Sequence, residues 1–272
     1  MSTYAISGSA SGMGAATRRK LENAGHTVIG IDLREAEVIA DLSTGEGRSG
    51  AVSETLQHCN GTLDGLVTAA GLGPPVRGEL IAKVNYFGSV ALLEGLRPAL
   101  AAADGAQVVQ IGSNSSTTSP NLPAELVEAY LSGDEPEAIR LVNLTPQPFD
   151  GAVAYGASKL AVSRWCRRAA VEDDWIGQGI TLNVIAPGPV QTPLFQMGRD
   201  DDDYGPLLEG FPVPAGDPAT ADLLADWIVF LLSPAARFAC GSVIFVDGGT
   251  DALLRADSWP ETFAMEFEAQ EF

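Results

Sequence analysis

Tyr155 and Lys159 are the residues of this chain whose spacing points most directly to chemistry. They lie four positions apart, so an α-helix places the phenol and the ammonium group on the same face. A free tyrosine has a pKa near 10, and lowering it by roughly 3 units, which requires about 4 kcal/mol of phenolate stabilisation, suits acid/base work near neutrality. A nearby positive charge favours that shift. The pair predicts proton transfer, although ordinary helices also contain this spacing.

Two further polar residues fit the same site. Ser113 ends an apolar, strand-like run, and active sites of open α/β sheets form at the ends of strands. Its hydroxyl can hold a carbonyl oxygen there. Asn85 follows Val84 at the start of a long helical pattern and can bind a water molecule beside Lys159. The predicted catalytic residues are therefore Asn85, Ser113, Tyr155 and Lys159.

A glycine-rich segment joins the first strand pattern to the first helical pattern. Its sequence is Ser7-Gly8-Ser9-Ala10-Ser11-Gly12-Met13-Gly14. Glycines permit a tight turn and close backbone approach, and free N–H groups at a helix start attract a pyrophosphate. The spacing differs from G-x-G-x-x-G, and such a turn can also be purely structural. Its place at the first strand–helix junction favours a dinucleotide site.

Asp32 ends the second strand pattern, 18 residues after Gly14. A carboxylate at this place accepts hydrogen bonds from the adenosine ribose hydroxyls. It also repels a 2′-phosphate, by roughly 1 kcal/mol in water and about 4 kcal/mol at intermediate dielectric for charges about 4 Å apart. We therefore expect NAD (NADH) as the cofactor. Arg34 can instead turn toward a phosphate, and Asp32 can serve as a helix-start or surface charge, so these alternatives stay open.

Short apolar runs alternate with helical patterns along most of the chain. The predicted strands are residues 4–7, 27–32, 38–41, 65–70, 107–113, 181–186 and 242–247, and the predicted helices are 14–24, 47–59, 84–103, 155–171 and 220–232. Strands buried on both faces have this composition, and successive strand–helix units form a parallel sheet with helices on both faces. The sequence predicts a doubly wound Rossmann-type α/β fold with a seven-stranded parallel sheet, as one catalytic domain over residues 1–256.

Two segments depart from this alternation. Residues 114–150, the insertion, contain five prolines around two short helical patterns, 124–131 and 137–142, which indicates a helical hairpin. Residues 188–218, the 188–218 loop, combine Pro, Gly and Asp with apolar side chains, as expected of a mobile lid over an apolar ligand. An ordinary long loop has the same composition. The predicted substrate contacts are Ser115, Leu194, Phe195 and Met197.

Composition excludes several classes of partner. A formal charge of −19 over 272 residues disfavours nucleic acid and anionic membranes. The most apolar stretch is too short to span a bilayer, and the amino terminus lacks the basic region of a targeting segment. Three separated cysteines and two histidines favour neither a disulfide framework nor a metal site. We expect a cytoplasmic protein that acts on a small molecule, with no metal.

This ordered set of motifs resembles the short-chain dehydrogenase/reductase family over essentially the whole chain. Further matching runs are Asp41-Leu42, Ala69-Ala70-Gly71, Asn183-Val184-Ile185-Ala186-Pro187-Gly188 and Asp247-Gly248-Gly249. Family members usually have an asparagine-containing run where this chain has the alanine pair. This difference affects mainly the support of the sheet. The resemblance implies an NAD(H)-dependent oxidoreductase acting on CH–OH groups. It makes Tyr155 the general acid/base and Ser113 the residue that orients the carbonyl. Lys159 would hold the nicotinamide ribose, and Asn85 would position water.

The cofactor contacts combine the glycine loop, the strand ends and this resemblance. They are Gly8, Ser11, Gly12, Met13, Gly14, Asp32, Leu33, Asp41, Leu42, Ala70, Gly71, Tyr155, Lys159, Pro187, Gly188, Val190 and Thr192. Thr192 matches the family residue that grips the nicotinamide carboxamide. Asp41 and Leu42 match the pair that flanks the adenine. A nicotinamide cation beside Lys159 would add to the charge that lowers the pKa of Tyr155.

The distance between Ser113 and Tyr155, 42 residues, is much longer than is usual in the family. That insertion and residues 24–44, 70–74 and 84–88 are similar to the bacterial 3α-hydroxysteroid dehydrogenase/carbonyl reductase group. The resemblance implies a bulky apolar secondary alcohol or ketone as substrate. It also implies a homodimer, because the insertion would block the helical interface of tetrameric relatives; we expect the contact through helix 220–232.

Two alternative functions also fit the sequence. One is an aryl or alicyclic secondary alcohol dehydrogenase of a degradative pathway. The other is a cofactor-sensing Rossmann protein without turnover, which would be expected to lack some of the residues that carry the chemistry. The C-terminal tail, residues 257–272, places aromatic side chains among acids. This tail either docks near the substrate entrance or forms a partly ordered surface segment.

Overall fold

A seven-stranded parallel sheet forms the centre of the molecule. The computed structural model describes residues 1–259. The strands are β1 (Thr3–Ser7), β2 (Thr27–Asp32), β3 (Val38–Ile39), β4 (Gly65–Thr68), β5 (Gln107–Ile111), β6 (Thr181–Pro187) and β9 (Val243–Val246), while β7 (Val190–Gln191) pairs separately with β8 (Ala219–Thr220). The order β3-β2-β1-β4-β5-β6-β9 reverses direction between β1 and β4, the switch point at which dinucleotides bind in such sheets. The predicted Rossmann-type fold is confirmed.

Helices cover both faces of this sheet. They are α1 (Gly12–Asn23), α2 (Gly45–His58), α3 (Gly78–Ala82), α4 (Ser89–Ala101), α5 (Ser115–Thr118), α6 (Ala124–Leu131), α7 (Glu135–Val142), α8 (Asp150–Ala169), α9 (Pro193–Arg199), α10 (Gly205–Glu209), α11 (Ala221–Leu231) and α12 (Thr250–Arg255). Alternate strand residues point to opposite faces: Ala5 joins the core under α2, α4 and α8, whereas Tyr4 and Ile6 join the core under α1 and α11. Two apolar layers therefore hold the sheet. None of the helices in residues 1–259 is long and apolar enough to cross a membrane.

Several predicted boundaries were wrong because tertiary contacts move them. The third strand ends at Ile39, and the chain turns where the Asp41 carboxylate accepts a hydrogen bond from Ser43 N at 2.9 Å. The fifth strand ends at Ile111, two residues before Ser113. The helix predicted over 84–103 begins earlier, at α3, and continues into α4 through the π-helical segment Lys83–Gly88. The helix predicted over 155–171 begins at Asp150.

The insertion contains the predicted helical hairpin. Helix α6 has the predicted bounds, whereas α7 begins two residues early because the Asp134 carboxylate caps Glu137 N at 3.0 Å. Pro136 lies in the first turn of α7, where proline is compatible with a helix. The buried ring of Tyr130 packs on Tyr86 and Phe87. The insertion is thereby fixed against the π-helical segment.

The 188–218 loop is also partly helical. It carries α9 and α10, and the two short strands β7 and β8 close its base. Beyond it, the described chain ends with α12, a 3₁₀ turn over Ala256–Ser258 and an exposed Trp259. The other aromatic residues of the predicted tail, Phe263, Phe267 and Phe272, and Met265 with them, lie outside the described residues.

Candidate active site

The glycine loop approaches the end of β4 with no room for side chains. Gly8 and Gly12 have φ angles of +69° and +54°, in the left-handed region that favours glycine. A Cβ atom on Gly8 would lie 2.7 Å from Ala70 N, and one on Gly14 would lie 2.1 Å from Gly8 O. The loop therefore presents bare main chain at the first turn of α1, as a pyrophosphate site requires.

Asp32 lies beside this loop at the end of β2. Its carboxylate accepts hydrogen bonds from Ala10 N at 3.0 Å and Leu33 N at 2.7 Å. Ser9, which the sequence analysis did not select, has a buried hydroxyl with no hydrogen-bond partner among the described residues. A bare loop, a fixed carboxylate and an unpartnered hydroxyl together fit the adenosine and pyrophosphate end of a dinucleotide.

Two other predicted adenine contacts have structural roles. The Asp41 carboxylate accepts the Ser43 N–H, and hydrogen bonding to Ser43, first to its side chain and then to this N–H, lowers the pKa of Asp41. Leu42 is buried in the larger core, and its Cβ lies 3.1 Å from the position that a Cβ on Gly88 would occupy. Both residues hold the chain after β3 against the start of α4. Contact with the adenine stays a prediction.

Lys159 is held at the carboxyl end of β5. Its ammonium group donates to the Ile111 main-chain carbonyl at 2.8 Å, and the residue is only 5% exposed. Burial lowers the pKa of Lys159 to about 8. Its Nζ lies 5.8 Å from the centre of the Tyr155 ring. The predicted pair therefore occupies one site, and the ammonium group there gives up its proton more readily than in water.

Ser113 reaches the same site from the segment that holds Lys159. Gly112 separates Ile111 from Ser113, and a Cβ on Gly112 would lie 2.7 Å from Val184 Cγ1, so this turn packs directly on β6. Ser113 Oγ accepts a hydrogen bond from Ser115 N at 3.1 Å. This bond uses one lone pair of the hydroxyl oxygen and leaves the hydroxyl proton available for donation to another group, such as a carbonyl oxygen.

The pKa of Tyr155 is raised in the protein alone, whereas the lowered value expected from the sequence includes the positive charge of a bound nicotinamide. Burial raises the pKa of the phenol, and a side-chain hydrogen bond with Ser113 only partly offsets this. The phenol is therefore protonated near neutral pH, ready to act as an acid. Acting as a base requires additional positive charge in the site.

Asn85 lies in the π-helical segment, a distortion that often marks functional sites. Its side-chain amide accepts from Leu72 N and donates to Leu72 O, both at 2.8 Å. A Cβ on Gly71 would lie 3.4 Å from Asn85 Oδ1 and 3.8 Å from Lys159 Nζ. Asn85 thus fixes the segment that borders the lysine. Its predicted binding of water stays a prediction.

One cavity of about 410 Å³ joins the polar residues to the 188–218 loop. The predicted site residues that line it are Met13, Gly71, Ser113, Ser115, Tyr155, Lys159, Pro187, Gly188, Val190, Thr192, Leu194 and Phe195. Met197 does not line it, because this residue lies on the outer side of α9 and is 38% exposed. The predicted residues lining the cavity place a polar cluster and apolar side chains around a single space.

Several cavity residues were not among the substrate contacts predicted from the sequence. Leu207, Leu208 and Phe211 line its apolar wall, and the apolar residues within a polar loop were the available signal. Other lining residues had no such signal, namely Leu72, Gly73, Pro74, Thr118, Ser119 and Tyr204. Their positions depend on contacts between segments distant in sequence.

Thr192 connects the two halves of the site. Its methyl carbon lies 3.2 Å from the position of a Cβ on Gly12, and its hydroxyl accepts from Phe195 N at 3.2 Å as the cap of α9. The 188–218 loop therefore begins in direct contact with the glycine loop. Cofactor and substrate regions are adjacent at this residue.

The sheet order, the glycine loop and the Ser113, Tyr155 and Lys159 cluster together define an oxidoreductase of the Rossmann type. The chain is 42% identical over 257 residues to 3-alpha-hydroxysteroid dehydrogenase/carbonyl reductase of Comamonas testosteroni, which covers 94% of this chain and 98% of that protein. The chain belongs to the short-chain dehydrogenase/reductase family.

Other comparisons agree with this assignment. A family model described as enoyl-(acyl carrier protein) reductase matches residues 142–251. Coniferyl-alcohol dehydrogenase of a Pseudomonas strain is 31% identical, over 90% of this chain and 94% of that protein. The crystal structure of 3-alpha-hydroxysteroid dehydrogenase from Pseudomonas sp. B-0831, complexed with NADH, superposes with a TM-score of 0.89 at 48% identity, covering 94% of this chain and 99% of that one.

The lowered pKa of Lys159 predicts a pH dependence of stability. Between pH 8 and the ordinary lysine value of 10.5, the unfolded chain retains a proton that the folded chain has lost. The stability difference is the free energy of unfolding of wild type minus that of Lys159→Met. It should therefore rise with pH, by at most about 1.4 kcal/mol per pH unit. Urea unfolding of both proteins from pH 6 to 10 measures it. A difference independent of pH across this range would show that Lys159 keeps an ordinary pKa.

Proposed function

We propose that this protein is an NAD-dependent dehydrogenase/reductase that interconverts a bulky apolar secondary alcohol and its ketone, with hydroxysteroids as the leading substrate class. The observation that carries the proposal is the convergence of Ser113, Tyr155 and Lys159 on one cavity with an apolar wall. Its volume of about 410 Å³ falls within the range of small-molecule sites. The names of the relatives supply the steroid class.

The residues divide the chemistry of ketone reduction between them. The Ser113 hydroxyl donates to the carbonyl oxygen and orients it, and the Tyr155 phenol delivers the proton to that oxygen. Lys159 holds the nicotinamide ribose and supplies positive charge near the phenolate that remains. Bound NADH supplies the hydride. In alcohol oxidation the proton returns from the hydroxyl to Tyr155.

Aryl alcohol oxidation is the second candidate function. Its support is the 31% identity to coniferyl-alcohol dehydrogenase over most of both chains, and the rings of Phe195 and Phe211 in the cavity wall also suit an aromatic substrate. A cofactor-sensing protein without turnover fits less well, because Ser113, Tyr155 and Lys159 are not only present but brought together.

Tyr155→Phe tests the chemistry. This change removes the proton donor and leaves the ring, so turnover should fall by about 10²- to 10⁴-fold, while NADH affinity changes far less. Steroid ketones, aryl ketones and alicyclic ketones, followed by NADH absorbance with wild type, identify the substrate class and supply the reference rate. Tyr130→Phe is the matched control, since Tyr130 is also a buried tyrosine but does not line the cavity. Retained turnover in Tyr155→Phe would contradict the mechanism.

Cofactor choice rests on the charges around Asp32. The Arg18 guanidinium, which lies beside Gly30, is already paired with Glu37 at 2.6 Å and Glu22 at 2.8 Å. The Glu37 carboxylate also accepts from Gly30 N at 2.7 Å. Arg18 is therefore engaged, and a 2′-phosphate at this place would face the Asp32 carboxylate. These contacts support NAD over NADP.

Asp32→Ala should relax that preference. Removing the carboxylate should lower the ratio of kcat/KM for NADH to kcat/KM for NADPH by about tenfold or more, which corresponds to roughly 1.4 kcal/mol. Steady-state kinetics with both cofactors measures the ratio. Glu46→Ala, which removes an exposed carboxylate in α2, controls for net charge. An unchanged ratio in Asp32→Ala would show that discrimination arises elsewhere.

We also propose that the protein is a homodimer through α11. One face of this helix is buried on the sheet, whereas Leu223, Trp227 and Phe230 are between 41% and 48% exposed on the other face. These residues follow the i, i+4, i+7 spacing of a single stripe. Contiguous exposed aromatic surface of this kind is typical of protein interfaces. The insertion helix α6 meanwhile packs on α8 and covers part of that helix.

The double change Trp227→Glu and Phe230→Glu should convert the dimer into a monomer, because two charges would enter an apolar contact. Sedimentation velocity at micromolar concentration measures the change. Val171→Glu, at an apolar residue 66% exposed after α8, should remain dimeric. Wild type that sediments as a monomer, or a double variant that stays dimeric, would refute this interface.

A further inference from the structure

Residues 193–211 form the part of the 188–218 loop that lies over the cavity. Their apolar side chains, including Leu194, Leu207 and Leu208, line one wall of the space next to Tyr155. A Cβ on Gly73 would lie 3.4 Å from Leu194, and one on Gly198 would lie 3.4 Å from Pro74 O. The loop therefore lies directly on the segment after β4 and forms one side of the cavity.

Within residues 1–259, the Tyr204 hydroxyl is the one group of residues 193–211 that makes hydrogen bonds to the body of the protein outside this loop. The hydroxyl of Tyr204 donates to the main-chain carbonyl of Pro148. Other polar contacts of this stretch stay within the loop: the Asp201 carboxylate accepts from Asp203 N and Tyr204 N, each at 3.0 Å. Asp201 thus holds the backbone of Tyr204 in a tight turn and fixes the direction of its side chain.

The acceptor lies on a rigid part of the molecule. Pro148 is two residues before α8, whose first residue, Asp150, is buried. The Asp150 carboxylate accepts from Gly78 N at 3.0 Å and Arg77 Nε at 3.1 Å. A Cβ on Gly151 would lie 2.6 Å from Val76 O. The carbonyl that receives the Tyr204 hydroxyl is therefore fixed to the same helix that carries Tyr155.

We propose that Tyr204 is a positioning residue that latches residues 193–211 over the bound substrate through the Pro148 carbonyl. Its ring lines the cavity and is buried, so the latch closes only when the loop lies against the body. A substrate that fills the cavity packs against the latched wall, and its departure requires the latch to open. The effect on substrate binding rests on the proposed function, whereas the closure of the loop does not.

Tyr204→Phe tests the latch because it removes the hydroxyl and retains the ring. The KM for the ketone should rise about fivefold, equivalent to ~1 kcal/mol, with kcat unchanged or increased because product leaves faster. Tyr130→Phe is the matched control: its hydroxyl is buried without a hydrogen-bond partner among the described residues, so its kinetics should match wild type. Equal melting temperatures for the two variants exclude a general loss of stability.

Tryptic cleavage measures the latch without turnover. Arg199 is the only lysine or arginine in residues 188–218, so cleavage after it, identified by mass spectrometry, reports opening of α9. The bond after exposed Arg34 serves as the internal reference. The ratio of the two rates should rise about fivefold in Tyr204→Phe and stay unchanged in Tyr130→Phe. An unchanged ratio in Tyr204→Phe, or an equal rise in Tyr130→Phe, would overturn the latch even if no substrate were found; a raised ratio supports it.

Discussion

The hydrogen bond from the Lys159 ammonium to the Ile111 carbonyl is the contact around which the site is arranged. A lysine at this depth must place its ammonium group on an oxygen, since a buried unpaired charge is costly. The available oxygen is the last carbonyl of β5, so α8 must run close to the carboxyl edge of the sheet. Gly112, next to Ile111, lets this turn pack directly on β6, where a Cβ would lie 2.7 Å from Val184 Cγ1. Tyr155, one turn before Lys159, is carried to Ser113 by the same geometry.

Burial has opposite consequences for the two titrating groups of this site. It lowers the pKa of Lys159 to about 8 and raises that of Tyr155, so in the protein alone near neutral pH the phenol is protonated while the lysine keeps most of its charge. A neutral phenol beside the Ser113 hydroxyl is suited to donate a proton to a carbonyl oxygen. The reverse reaction needs charge that the chain does not itself provide, which couples the acid/base chemistry to the presence of the oxidised cofactor. Thr192, which contacts the glycine loop and caps α9, lies between the proposed cofactor region and the proposed substrate region.

The elements that depend on local sequence were predicted well. The strand–turn–helix at Gly8 to Gly14, the carboxylate of Asp32 and the pairing of Tyr155 with Lys159 follow from spacing within one or two elements, and the structure places them as expected. Long-range packing decided the rest. Met197 was wrongly placed toward the cavity because the rotation of α9 depends on Thr192 and Pro74. Tyr204 was missed because its partner Pro148 lies 56 residues away. The raised pKa of Tyr155 in the protein alone was not predicted, because it comes from burial, which depends on tertiary packing.

A crystal structure of this protein with NADH tests the central claim, that one edge of the sheet holds both the dinucleotide and the proton donor. The account predicts the adenosine ribose hydroxyls on the Asp32 carboxylate, the pyrophosphate on the main chain of the glycine loop, and the nicotinamide ribose in contact with Lys159 and Tyr155. The reactive face of the nicotinamide should open onto the cavity beside Ser113. An NADH molecule bound away from Asp32, or a nicotinamide ribose out of reach of Lys159, would contradict it.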